Sequence, residues 1–137
     1  MKKPLLALSA CVALVLGAAH FRAAGLSAVV DVSTVAQLEA AVASLMSGQV
    51  IRIAAGRYAV TQQLRIRNGV TNVALVGATG NRDDVVIVGS GMNTPGVNIV
   101  IKVENAQDVR LADLSVGEAF WHPIQLQGEQ GAERVHV

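Results

Sequence analysis

Phe120-Trp121-His122-Pro123 is the segment of this sequence whose residue types are best suited to contact a ligand. The indole ring of Trp121 is suited to stack on a sugar ring, and the imidazole of His122 exchanges a proton near neutral pH. A turn between two strands, with its aromatic side chains packed under a loop, accounts for the same four residues equally well. The segment stands out because aromatic residues make up only 3% of the chain.

Basic residues form a second group, on segments that alternate between aliphatic and polar side chains. Equivalent residues of stacked strands lie above one another, which predicts two solvent-facing rows. One row contains Arg52, Ala74, Arg110 and His136, and the other contains Arg65, Arg67, Lys102, Gln125 and Gln127. Guanidinium groups in such rows pair with the carboxylates of an acidic polysaccharide. Exposed strand faces are also commonly polar without any binding role, and we favour this simpler interpretation.

The sequence assigns substrate-binding candidates but no catalytic residue and no metal site. The candidates are Arg52, Lys102, Arg110, Trp121, His122 and His136. Carboxylates of the kind that ligate calcium occur at Asp83, Asp84, Asp108 and Asp113. None of them has the spacing of a defined calcium loop, and each stands where a turn favours aspartate. No pair of carboxylates can be given the acid and nucleophile roles of a glycosidase.

The segment Val73–Gly80 resembles a strand that enters the glycine-rich loop of nucleotide-binding dehydrogenases. Such a loop requires a helix directly after it, whose N-terminus holds the pyrophosphate. Val85–Val88 instead has the composition of a strand, and Asp83 stands where a further glycine is required. We therefore predict no nucleotide cofactor.

Composition excludes several classes of protein. The 137 residues are 52% hydrophobic and 15% charged, which excludes a disordered or collagen-like chain. The formal charge is +1 and no run of like charges occurs, which argues against nucleic acid and against a polybasic membrane patch. The length predicts a single small domain.

The N-terminus predicts export. Lys2 and Lys3 precede an apolar run from Leu5 to Ala19 that ends in small residues, as in a cleavable signal peptide over residues 1–19. The run is shorter than the roughly 20 residues that span a bilayer. Cys11 completes a lipobox-like Leu8-Ser9-Ala10-Cys11, but most of the apolar core follows it, and we assign it to the signal. The mature chain is then expected to be secreted or periplasmic, with no cysteine and no membrane attachment.

Hydrophobic periodicity predicts one helix followed by strands. A linker or first strand covers residues 20–32, and an apolar stripe with a 3.6-residue period predicts a helix over residues 33–48, with Thr34 and Gln37 at capping-box spacing. From residue 49 to 137 the period is two. Four segments repeat one pattern at spacings of 22, 36 and 26 residues: Ile51-Arg52-Ile53, Val73-Ala74-Leu75, Val109-Arg110-Leu111 and Val135-His136-Val137.

The repeat predicts an all-β fold, a right-handed parallel β-helix with three short strands per turn and an N-terminal capping helix. The intervening strands are expected at residues 85–88, 99–103, 114–116 and 124–126. The last repeat stops in mid-pattern, so we expect the chain to be the N-terminal portion of a longer protein.

The helix followed by Gly48-Gln49-Val50-Ile51-Arg52-Ile53-Ala54-Ala55-Gly56-Arg57-Tyr58 resembles the opening of pectate-lyase-like β-helix proteins, with a first strand and a Gly-x-Tyr turn. This resemblance implies an exported protein that binds or degrades a polysaccharide, and it leaves calcium as a possible cofactor. If it is a lyase, a basic residue removes a uronate proton while a cation neutralises the adjacent carboxylate. The alternative is a non-catalytic surface or periplasmic scaffold, since fold does not determine function. The oligomeric state stays open.

Overall fold

The computed structural model describes residues 28–137, which form eleven β-strands and one α-helix. This confirms the prediction of an all-β chain with a helix near its start. The predicted signal peptide lies outside the described residues. The strands are β1 (Ala28–Val32), β2 (Gln49–Ile53), β3 (Gly56–Ala59), β4 (Leu64–Ile66), β5 (Val70–Gly77), β6 (Val85–Val88), β7 (Ile99–Val103), β8 (Ala106–Ala112), β9 (Ser115–Gly117), β10 (His122–Leu126) and β11 (Ala132–His136).

The strands form three sheets in which every pairing is parallel. Sheet A has the order β1-β2-β5-β8-β11, sheet B the order β3-β6-β9, and sheet C the order β10-β7-β4. From β2 onward the chain visits sheets A, B and C in turn, three times, and returns to sheet A with β11. From β2 onward each strand therefore pairs with the strand three places later in the chain, while β1 pairs with β2.

One side of each sheet faces a common aliphatic core. In β2 and β4 the buried side chains alternate with arginine, as the period of two predicts, while β5 and β7 bury consecutive residues. The largest fully buried side chains on the strands are Ile51, Ile53, Leu64, Ile66, Leu75, Ile87 and Ile101, and Leu38 of the helix joins them. Full burial of such a side chain contributes about 1.5–3 kcal/mol relative to exposure, so the stacked aliphatic residues are the main source of stability.

The helix α1 (Val35–Ala43) is shorter than predicted. Thr34 caps it, since its Oγ1 accepts a bond from Gln37 N at 3.2 Å. The Gln37 side chain accepts a bond from Ser33 N at 2.9 Å, so the reciprocal half of the predicted capping box falls one residue earlier. The helix ends at Ala43, and Ser44 caps it by donating from Oγ to Ala40 O at 2.9 Å. Within residues 28–137, no helix is long and apolar enough to cross a membrane.

The register between β2 and β5 differs from the predicted one. Arg52 pairs with Val76, and Val50 pairs with Ala74, so the spacing is 24 residues and not 22. Arg52 therefore does not share a row with Arg110 and His136. The rest of that row is confirmed, because Ala74 pairs with Arg110 and Arg110 pairs with His136.

A left-handed backbone position recurs near the start of four sheet A strands and matches this register. Gly48, Asn72, Asp108 and Arg134 all have φ between 49° and 80°. Asp108 and Arg134 occupy equivalent places, because the residues on either side of them pair with each other. Gly48 N donates to the carbonyls of Thr71 and Asn72 at 3.0 Å, which places Gly48 beside Asn72.

Two glycine-containing segments differ from what the sequence pattern indicates. Gly56-Arg57-Tyr58, predicted as a turn, belongs to strand β3, where Tyr58 is buried and its hydroxyl donates to Ala54 O at 2.8 Å. Gly77 ends β5, and a Cβ there would lie 1.9 Å from the backbone oxygen of Asp113. A side chain at position 77 would therefore push two successive turns of the chain apart.

Candidate functional site

The solvent-facing side of sheet C collects basic and amide side chains from three strands. Arg65 of β4 pairs in register with Lys102 of β7, and Lys102 pairs with Gln125 of β10. These three residues were predicted to share a face, and the register confirms it. The ladder continues past the strand ends, where Glu104 N donates to Ile66 O and Gln127 N donates to Val103 O, both at 3.0 Å.

Glu104 is the carboxylate that holds this face together. It is 7% exposed, and its Oε2 lies 2.7 Å from Lys102 Nζ. Its Oε1 accepts a bond from Arg65 Nε at 3.0 Å and a second from the Arg65 guanidinium. The hydrogen bond from Lys102, helped by Arg65, lowers the pKa of Glu104. Two cations therefore share one ionised carboxylate, which leaves one positive charge in excess.

Sequence reasoning missed Glu104. The signal was present, because Lys102 and Glu104 are two residues apart on a strand and so point to the same face. The side-chain oxygen of Gln127, beside this cluster, is buried without a hydrogen-bond partner among the described residues.

Arg67 adds a further cation at the end of β4. It is exposed and has no carboxylate within ion-pair distance in residues 28–137. It lines two neighbouring cavities, one of about 420 Å³ between α1 and β4 and one of about 280 Å³ that Asn105 and Gln130 also line. Arg67 is thus available to bind an anion in a way that Arg65 and Lys102 are not.

Helix α1 forms one wall of the larger cavity. Glu39 of the helix accepts bonds from Thr61 N at 2.7 Å and from Thr61 Oγ1 at 2.9 Å. This contact fixes the segment between β3 and β4, which carries Gln62 and Gln63 into the same cavity.

Trp121 lies at the other end of sheet C. Its side chain is exposed, with 62% of its surface accessible, although its backbone N–H is fixed to Asn98 O at 2.8 Å. The Phe120 ring is 6.1 Å away and tilted by 43°. Trp121 borders a cavity of about 250 Å³ together with Gln62 and Gln63. This exposure is inconsistent with the interpretation in which the Trp121 side chain packs under a loop. His122 begins β10 and is exposed beside it.

The remaining candidates lie on sheet A. Arg52 is engaged by Asp31, with Nε–Oδ1 at 2.6 Å and Nη2–Oδ2 at 3.0 Å, and the hydrogen bond from Arg52 lowers the pKa of Asp31. Arg110 and His136 are neighbours on β8 and β11 and line a cavity of about 820 Å³ with Asp113. The six candidates are therefore divided between two sheets and do not form one site.

The four aspartates do not converge. Asp108 is paired with Arg134, Nε to Oδ1 at 2.6 Å, and Asp84 accepts a bond from Asn81 Nδ2 at 3.3 Å. Within residues 28–137, no three His, Asp or Glu side chains come together as a ligand group for a metal ion. The glycine-rich segment after β5 leads into a three-residue 3₁₀ turn, Arg82–Asp84, and then into β6.

No protein-family model matches the chain, and neither curated proteins nor solved structures show a significant match.

Proposed function

We propose that the three sheets are the faces of a right-handed parallel β-helix of the pectate-lyase-like kind, capped by α1. The cyclic order of sheets A, B and C and the parallel pairing of each strand with its counterpart one repeat later support this interpretation. Lys2, Lys3 and the apolar run to Ala19 support export to the periplasm or the cell exterior.

The function we propose for this exported protein is binding of an acidic polysaccharide on the solvent-facing side of sheet C. The observation that carries the proposal is the excess of positive charge there. Arg65 and Lys102 share Glu104, and Arg67 has no carboxylate partner among the described residues. An arginine side chain offers a planar fork of donors that matches a carboxylate, so among the cations of this face Arg67 is the residue best placed to hold one.

The test is binding of polygalacturonate, alginate and hyaluronan, measured by titration calorimetry at low and at high salt. We expect at least one polymer to bind, with an affinity that falls as salt screens the charges. Arg67→Ala should weaken binding about tenfold or more, since a hydrogen bond to a charged group contributes about 1.5–3 kcal/mol. Arg52→Ala is the matched control, because that arginine is already held by Asp31. Absence of binding by all three polymers, or equal losses in both variants, would contradict the proposal.

A second candidate function, uronate lyase, is favoured by the neighbouring positions of Arg110 and His136 beside the 820 Å³ cavity. In β-elimination, His136 would take the proton from C5 while Arg110 neutralises the carboxylate. The C5–H and C4–O bonds break, the C4=C5 double bond forms, and the leaving oxygen takes up a proton. Ultraviolet absorbance of the unsaturated product tests this, with His136→Ala expected to abolish it. Binding without product favours a non-catalytic module.

A further inference from the structure

Resting on the proposed function, we propose that sheet C binds its ligand in one direction, with an uncharged sugar on Trp121 and an acidic sugar on Arg67. The ligand class is then a polysaccharide in which uronate residues alternate with uncharged sugars, and not a polymer of uronate alone.

The cavities along β4 adjoin one another. The cavity beside Trp121 shares Gln62 and Gln63 with the cavity under α1. That cavity in turn shares Arg65, Arg67 and Asn68 with the one near Gln130. β4 with its flanking residues, from Gln63 to Arg67, covers about 13 Å of chain at roughly 3.3 Å per residue. This length exceeds a single sugar ring, so the surface fits an oligosaccharide.

The Trp121 end suits an uncharged sugar. None of the described residues that line this cavity carries a charge. Gln62, Gln63 and Asn98 supply amide groups, which both donate to and accept from hydroxyls. The exposed indole supplies an aromatic face for the ring.

The middle of the path disfavours an acidic sugar. Glu39 lines the cavity under α1, where its carboxylate accepts bonds from Thr61 and Gln62 and has no cation within ion-pair distance among the described residues. Arg65 and Arg67 line the same cavity, so a ligand carboxylate meets a like charge on the Glu39 side of it. A polyuronate carries a carboxylate on every ring and places one beside Glu39. At the far end Arg67 is joined by the amides of Asn105 and Gln130. Glu104 also lines that end, but Arg65 and Lys102 already share its charge, so the end accepts an acid.

Three tetrasaccharides separate the alternatives when their affinities are measured by calorimetry. A hyaluronan tetrasaccharide alternates uncharged and acidic sugars, tetragalacturonate is acidic at every ring, and chitotetraose is uncharged. We expect the hyaluronan fragment to bind most tightly. Trp121→Ala should weaken binding of the hyaluronan fragment and of chitotetraose about fivefold to tenfold. Arg67→Ala should weaken binding of the hyaluronan fragment and leave binding of chitotetraose unchanged.

Glu39→Gln provides the sharpest variant, because glutamine keeps an acceptor for Thr61 but removes the charge. We expect it to improve the affinity for tetragalacturonate severalfold and to leave the hyaluronan fragment unchanged. Met92→Ala, which removes an exposed apolar side chain outside these cavities, is the control for Trp121→Ala.

Two results would overturn the inference while the proposed function stands. One is tighter binding of tetragalacturonate than of the hyaluronan fragment by the unmodified protein. The other is an affinity that depends on Arg67 but not on Trp121. If no acidic glycan binds at all, the proposed function fails, and the directional inference fails with it.

Discussion

Sheets A and C both carry arginines on their solvent-facing sides, but they balance the charge differently. On sheet A, Arg52 is paired with Asp31 and Arg134 with Asp108, while Arg110 has no carboxylate within ion-pair distance among the described residues. The paired side chains are 48–65% exposed. On sheet C the Glu104 side chain, 10% exposed, serves both Arg65 and Lys102.

The difference shows why the number of arginines on a face does not identify a binding surface. The exposed pairs of sheet A contribute little to stability, and each cancels its own charge. Removal of the buried Glu104 carboxylate of sheet C should destabilise the protein more, because it leaves two neighbouring cations without a partner. Its two-to-one pairing leaves a positive excess, to which Arg67 adds. The strands of sheet A carry three arginines against Asp31, Asp108 and Glu133 and so have no such excess, which supports the proposal that an anion binds on sheet C.

The largest effect is expected from Glu104→Gln. The substitution leaves Arg65 and the largely buried Lys102 facing each other without a carboxylate. We expect the free energy of unfolding to fall by about 2–3 kcal/mol, between the values for exposed and buried ion pairs. Urea unfolding measures this. Asp31→Asn, the equivalent change on sheet A, should cause a much smaller loss. Equal losses in the two variants would remove the distinction between the faces.

The pH dependence of stability gives the second test. The pKa of Glu104 is lowered in the folded protein by the hydrogen bond from Lys102 and by Arg65. A carboxyl group with a lowered folded pKa contributes stability above its ordinary pKa of about 4.3 and loses it as the pH falls through the lower folded value.

Glu104→Gln has no such group. The difference in unfolding free energy between the unmodified protein and this variant should therefore be largest near neutral pH and should shrink below about pH 4. Urea unfolding at a series of pH values measures the difference. A gap that stays constant down to pH 2 would mean that the ionised form of Glu104 does not supply the stability.

Much of the fold follows from local pattern. The alternation in Ile51-Arg52-Ile53 and in Val109-Arg110-Leu111 gives strands with one buried face. The register of Arg52 was wrong because β5 offers aliphatic residues at both Val73 and Leu75. Either could face Ile51, and in the structure Leu75 does, with the left-handed residues Gly48 and Asn72 side by side.

The site was less accessible to prediction. The sheet C row was found because period-two alternation fixes the direction of Arg65 and Lys102. The engagement of Arg52 was missed because its partner Asp31 lies 21 residues earlier, on a strand that was not aligned with the repeat. The lack of a carboxylate partner for Arg67 could not be predicted, because ion pairs between residues distant in sequence form only in the folded protein.

Arg134 provides a third and smaller test, confined to sheet A. Its φ of 49° lies in the left-handed region, which costs less for asparagine than for most other residues. Arg134→Asn and Arg134→Ala both remove the ion pair with Asp108. We expect the asparagine variant to have the higher Tm, since Asn72 also adopts a left-handed conformation near the start of β5. A higher Tm for the alanine variant would show that backbone strain is not what distinguishes them.

The smallest effect is expected from the Arg52–Asp31 pair. In a double-mutant cycle with Arg52→Ala and Asp31→Ala, the sum of the two single losses of stability should nearly equal the loss in the double variant. The coupling is small because both side chains are exposed to water. The cycle is measured by urea unfolding at low salt and again at high salt, where any remaining coupling should vanish. A coupling that survives high salt, at a size comparable with the Glu104→Gln effect, would place the strong ion pair on sheet A. The contrast between a neutral face and a cationic face would then rest on Arg67 alone.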